Sequence, residues 1–142
     1  MAKSEEQGPS GDHGRYDPER LAVYRLARRH SRAARDLLAR ADTRGFGELV
    51  DNFKRSVTSI PANIKEGYGE HRTAKKANYY QIAKASVTEA WGHTDSLVDW
   101  GLVRREDIEE LRDLQNQMIA LLITMIRNLE KKSPAGPKKR RQ

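Results

Sequence analysis

Apolar residues recur at spacings of three and four through most of the chain, which is the period of one helix face. Leu21, Tyr24, Ala27, Ala34, Leu37 and Leu38 mark a first stripe, and Leu49, Phe53, Val57, Ile60 and Ile64 a second. Tyr80, Ala83, Val87, Ala90, Thr94 and Leu97 form a third. Ile108, Leu111, Gln115, Met118, Leu122, Met125 and Leu129 form a fourth at heptad spacing, with Gln115 as its polar member. No stretch sustains the period-two alternation of a strand.

Local signals bound these stripes. Asp17 is placed to cap a helix that has Pro18 at its first position and Glu19 near its positive end, and that runs to about Arg40. Thr43-Arg44-Gly45-Phe46-Gly47 reads as a turn, and a second helix covers roughly Glu48 to Glu66. Gly67 and Gly69 supply its stop, 67–72 form the next loop, and Thr73 caps a third helix that Gly101 ends after about Trp100. A fourth helix starts near Glu106, among Asp107, Glu109 and Glu110. Helices of about 20 residues are about 30 Å long, and short connections favour antiparallel neighbours. The expected fold class is all-α: an antiparallel up-down four-helix bundle over residues 17–131. Segments 1–16 and 132–142 lack a core-forming pattern and are expected to be disordered.

Pro61 interrupts the second stripe. It has no backbone donor and crowds the carbonyl of Val57, so a kink or break is expected there. The hexapeptide Ser59-Ile60-Pro61-Ala62-Asn63-Ile64, followed by Glu66-Gly67-Tyr68-Gly69, resembles the signature of the bacterial four helix bundle protein family, the 23S rRNA intervening-sequence proteins. The accessory variability proteins of diversity-generating retroelements are similar. The resemblance reaches from about Asp17 to Lys131 and takes in Ile82-Ala83, Ser86 and Glu89. Ala85 stands where the family has glycine, which narrows any close backbone approach there by one methyl. Trp91 and Gly92 replace polar, helix-favouring residues, so a local distortion or a different contact is expected. The resemblance implies a four-helix bundle that forms ring-like homopentamers and, through the retroelement proteins, a reverse transcriptase as a second partner. It implies no settled activity.

Composition narrows the chemistry. With no cysteine among 142 residues, disulfides, thiolate metal sites and a cysteine nucleophile are excluded. That composition is compatible with a reducing cytoplasm. Met1 to Asp17 has no apolar run for a signal or anchor. The apolar stretch Met118 to Ile126 falls far short of the about 20 residues a membrane span needs. The net charge is +7, but six cations and no acid lie in residues 131–142, so the remaining chain is close to neutral. Residues 18–40 are the basic part of the body, with seven arginines against Glu19 and Asp36.

Catalytic and metal-binding readings find little support. Ser56, Ser59, Ser86 and Ser96 lack an elbow context or matched His and Asp partners, and no phosphate-cradling glycine loop occurs. A di-iron bundle needs Glu-x-x-His motifs that are absent, although Glu89 and His93 stand one turn apart. His30 and His71 lie among arginines or lysines that disfavour a cation. No metal, cofactor or enzymatic activity is expected. The motif residues Ser59, Pro61, Asn63, Glu66, Gly67 and Gly69 read as structural, with Ser59 or Asn63 bonding groups that the proline exposes. Asn63 and Glu66 holding a ligand in a central pocket is the rival reading.

Three basic features remain. Arg25, Arg28, Arg29, Arg32 and Arg35 return to one side of the first helix, and guanidinium forks match phosphate geometry. His71, Arg72, Lys75 and Lys76 accompany Tyr68, Tyr79 and Tyr80, cations beside aromatics that can stack on bases. Lys138, Lys139, Arg140 and Arg141 form a basic tail. The plain alternative for each is a solvated surface, and Tyr79 and Tyr80 also suit the core. Together they point to a non-enzymatic, oligomeric accessory protein that binds RNA or DNA phosphates. Extra apolar positions on the fourth helix, Ile119, Leu121, Ile123 and Ile126, with Trp91 and Trp100, suit a subunit interface or a thick core. A protein-interaction module without nucleic-acid affinity is the alternative function.

Overall fold

A computed structural model describes residues 16–132. All but Lys132 of the expected basic tail, including Lys138 to Arg141, and all but Tyr16 of the expected N-terminal segment lie outside those residues; Lys132, expected to be disordered, is the last residue of the fourth helix. Four helices make up the bundle: α1 (Ala22–Ala39), α2 (Gly47–Gly69), α3 (Thr73–Asp99) and α4 (Glu109–Lys132). Short 3-10 turns, Pro18–Arg20 and Arg105–Ile108, precede α1 and α4. No strand occurs among the described residues. Each helix packs on its sequence neighbours, and α1 closes the ring on α4. The α2–α3 contact is the most extensive of these and the α1–α2 contact the least.

The first helix starts later than expected. Asp17 caps the 3-10 turn, its carboxylate accepting from the Glu19 amide at 3.1 Å. Leu21 is then extended at φ −87°, ψ 126°, and the α-helix begins at Ala22. Thr73 is the first residue of α3 and makes no side-chain cap. The positive φ of Gly45 (86°) and Gly101 (78°) fits the two expected turns, because only glycine enters that region without strain.

α2 is continuous through Pro61, so the proline does not break it. The helix also continues through Gly67 to Gly69, where a stop and a loop were expected; the loop is 70–72. Gly67 serves contact rather than termination. A Cβ there would lie 2.6 Å from Tyr80 Cε1 and 3.1 Å from Tyr79 Cβ, so a hydrogen is what admits the tyrosine ring. Ala85, by contrast, is exposed, and its methyl narrows no helix approach. α3 runs unbroken past Trp91 and Gly92, with the Arg112 guanidinium 4.4 Å over the Trp91 ring.

The core is made by the expected stripes, with small displacements. Phe53, Val57, Ile60 and Ile64 of α2 and Tyr80, Ala83, Val87, Ala90 and Leu97 of α3 are buried. On α4 the buried series ends at Ile126, while Met125 and Leu129 are only partly covered. A straight helix turns about 20° per heptad away from a strict seven-residue repeat, which carries the buried face from the 125 register to 126. Ile119 and Leu121 are half-buried and Ile123 is exposed.

Candidate nucleic-acid interface

The motif residues assemble the α2–α3 seam. Asn63 Nδ2 donates to the Ser59 carbonyl at 2.9 Å and to Ser59 Oγ at 3.0 Å. Ser59 Oγ meets Ser86 Oγ of α3 at 2.8 Å. These bonds bracket Pro61 within one turn of α2, and they tie the proline segment to its neighbour. Asn63 is thus engaged inside the fold, while Glu66 is exposed on the same helix. The two do not converge on a central pocket. Tyr16, expected in a disordered segment, packs its ring on Gly69 and hydrogen-bonds the Lys65 carbonyl.

The basic loop divides into structural and free groups. Lys76 Nζ donates to the carbonyls of Gly67 at 2.7 Å and Tyr68 at 3.1 Å. Those are carbonyls of the last turn of α2, where the Gly67 carbonyl also accepts from the Glu70 amide at 3.1 Å, and a cation suits the negative end of the dipole. Burial lowers the Lys76 pKa from its ordinary value. Arg72 folds onto Glu70 at 2.8 Å, and this hydrogen bonding pulls the Glu70 carboxyl down to about 2. Tyr80 is buried, and desolvation pushes its hydroxyl up to about 12, so it offers no stacking face. Lys75 and His71 remain exposed. Of this group the structure leaves little that resembles a built site.

The arginine row is different. Arg25, Arg28, Arg29, Arg32 and Arg35 are all exposed on α1. Arg28 pairs with Glu19 at 3.0 Å, Arg35 with Asp36 at 2.9 Å, and Arg29 reaches Glu110 of α4 only at 4.0 Å. Arg25 donates to the backbone carbonyl of Glu19. Arg32 has no ion pair among the described residues. Such exposed pairs are weak and yield readily to a phosphate. Arg25, Arg28, Arg29 and Arg32 border a groove of about 590 Å³ between α1 and α4, which Leu26, Leu121 and Gln117 also line. The row therefore edges a recess as well as a ridge.

Opposite that face, inside the bundle, lies a polar triad that the charge pattern did not reveal. His30 is fully buried, not part of the basic surface. The Gln115 amide nitrogen lies 3.1 Å from His30 Nε2 and donates to Thr94 Oγ1 at 3.1 Å. Thr94 Oγ1 in turn donates to the Ala90 carbonyl at 2.7 Å. His30 Nδ1 and Gln115 Oε1 are buried without a hydrogen-bond partner among the described residues. Burial brings the His30 pKa down to about 4. The available signal was position: His30 continues the stripe of Ala27 and Ala34, and Gln115 interrupts an apolar heptad. Among the described residues no three His, Asp or Glu side chains gather as metal ligands. Glu89 and His93 approach to 3.8 Å.

A family model described as 23S rRNA-intervening sequence protein matches residues 19–124. The chain belongs to this family. The match falls within the span over which the motif resemblance runs, from the Pro18 turn through most of α4. No curated protein matches the chain. The motif that carried the resemblance lies in the packed α2–α3 seam, while the arginine row lies on another helix. No helix among the described residues is long and apolar enough to cross a membrane.

Proposed function

We propose that this family member is a non-enzymatic accessory protein that binds the phosphates of RNA or DNA on the arginine face of α1. One observation carries the reading: five exposed arginines share that face, and among the described residues their ion pairs are with Glu19, Asp36 and Glu110 alone. From Arg25 to Arg35 the row covers about 15 Å of helix, enough to span successive phosphates. The homopentamer and the reverse transcriptase partner extend the reading from the resemblance, and the lack of cysteine suits the cytoplasm.

A salt titration of RNA binding by the purified chain tests this. Three phosphate contacts on a single strand give a log–log slope of about −2. Replacing Arg25, Arg29 and Arg32 together by Gln flattens the slope, and truncation after Lys131 separates the tail's share. Affinity that is missing at low salt, or indifferent to salt, removes the reading. Trp100, 66% exposed beside Phe46, favours the second reading, a protein-interaction module. That module binds its partner undiminished after the arginine substitutions.

A further inference from the structure

The α1–α4 groove holds more than a phosphate row requires. Its lining includes Leu26 and Leu121, both half-buried, between helices that present Arg25, Arg29 and Arg32 on one side and Gln117 on the other; Glu19, paired with Arg28, also lines it. Gln117 Nε2 donates to Asp113 Oδ2 at 3.0 Å, and its amide oxygen has no protein donor among the described residues. A duplex keeps its base faces stacked inside and offers phosphates outside, so a recessed apolar floor gains nothing from it. An unpaired nucleotide exposes both parts. Its base presents a flat apolar face, and its phosphates lie a short distance to either side. Guanidinium groups serve both parts, because they fork to phosphate and stack on planar rings.

We infer that the α1–α4 groove takes an unpaired nucleotide, its base over Leu26 and Leu121 and its flanking phosphates on Arg25, Arg29 and Arg32. The protein then prefers single-stranded RNA or DNA over duplex. The inference rests on the nucleic-acid reading above and adds what that reading leaves open, the form of the strand. The long Arg29–Glu110 pair, at 4.0 Å between α1 and α4, opens when a phosphate replaces the carboxylate.

The test measures binding of the full chain, by fluorescence anisotropy at one fixed salt concentration, to three labelled probes of equal length. They are a single-stranded oligonucleotide, the same strand annealed to its complement, and an abasic strand that keeps the phosphates. Ribose and deoxyribose versions run side by side, since the groove chemistry is common to both. The intact single strand is expected to bind at least about tenfold more tightly than the other two, the scale of burying one base face on apolar side chains. Leu121→Ala is expected to weaken the intact strand about threefold to tenfold, through the apolar area it removes from the base, and to leave the abasic strand unchanged. A folding defect would lower both, and thermal melting of the variant checks for it. Equal binding of all three probes in both sugar forms overturns the inference while leaving phosphate binding in place. Equal losses for intact and abasic strands in a Leu121→Ala variant that melts like the parent also overturn it. Binding of no probe at low salt removes the inference together with the broader reading.

Discussion

The α2–α3 seam and the α1–α4 face use polar residues in opposite ways. In the seam, Ser59, Asn63 and Ser86 spend their polar atoms on one another, and Gly67 lets the Tyr80 ring sit against the backbone. On the α1–α4 side, arginines stand in solvent with loose partners, and the buried layer beneath contains an imidazole and an amide. The seam is therefore specified by shape and the other face by charge. A sequence signature concentrated in the seam marks how the bundle is locked, and the groups able to meet a partner lie elsewhere.

Acid should break the α1–α4 side first. The His30 pKa is about 4 in the fold against 6.5 for the free group, so the unfolded chain binds more protons between those values. Stability is complete above pH 6.5 and falls as pH drops toward 4, by about 3 kcal/mol in all. Urea unfolding across that range measures it, and His30→Leu should remove that part of the pH dependence. Persistence of the full fall in His30→Leu would assign it to other groups.

Overpacking should break the seam next. Gly67→Ala places a methyl 2.6 Å from a buried tyrosine ring. The expected loss is about 1–3 kcal/mol of overpacking, offset by up to about 1 kcal/mol of helix propensity. Gly69→Ala meets the Tyr16 ring at 2.9 Å, but Tyr16 is 45% exposed and can swing aside. It should be neutral or slightly stabilising, and a denaturant series on both variants sharpens the contrast.

The smallest effects separate the cation consumed by the fold from one proposed to meet phosphate. Lys76→Gln should cost about 1 kcal/mol, because carbonyls at the end of α2 lose their charged donor. Arg32→Gln should change stability by less than about 0.5 kcal/mol while weakening polyanion binding. Equal thermal shifts for the two would erase the distinction between seam and face.

Most of the architecture was legible because helical periodicity is a local signal. The α3 stripe of Tyr80, Ala83, Val87, Ala90, Thr94 and Leu97 is buried throughout. Helix ends were less legible. Gly67 looks like a terminator in one dimension, since glycine is the usual residue past a helix end. Its neighbour Tyr80 is thirteen positions away, and only packing shows that the missing side chain makes room for it. Lys76 was only partly legible for a similar reason: its charge was visible, but the carbonyls that it serves belong to the preceding helix. His30 was hidden by the arginines around it in the chain, although its register placed it inside.

The order of residues alone determined an all-helical chain, four amphipathic segments, their turns at Gly45 and Gly101, and an arginine face on the first. These follow from periodicity and backbone preference, which act over a few residues. The tertiary structure decided which polar groups are consumed by the fold and which stay available. It joined Ser59 to Ser86, Lys76 to the end of α2 and His30 to Gln115, and it set Leu26 and Leu121 beside the arginines. Those pairings depend on how helices distant in sequence come to lie together.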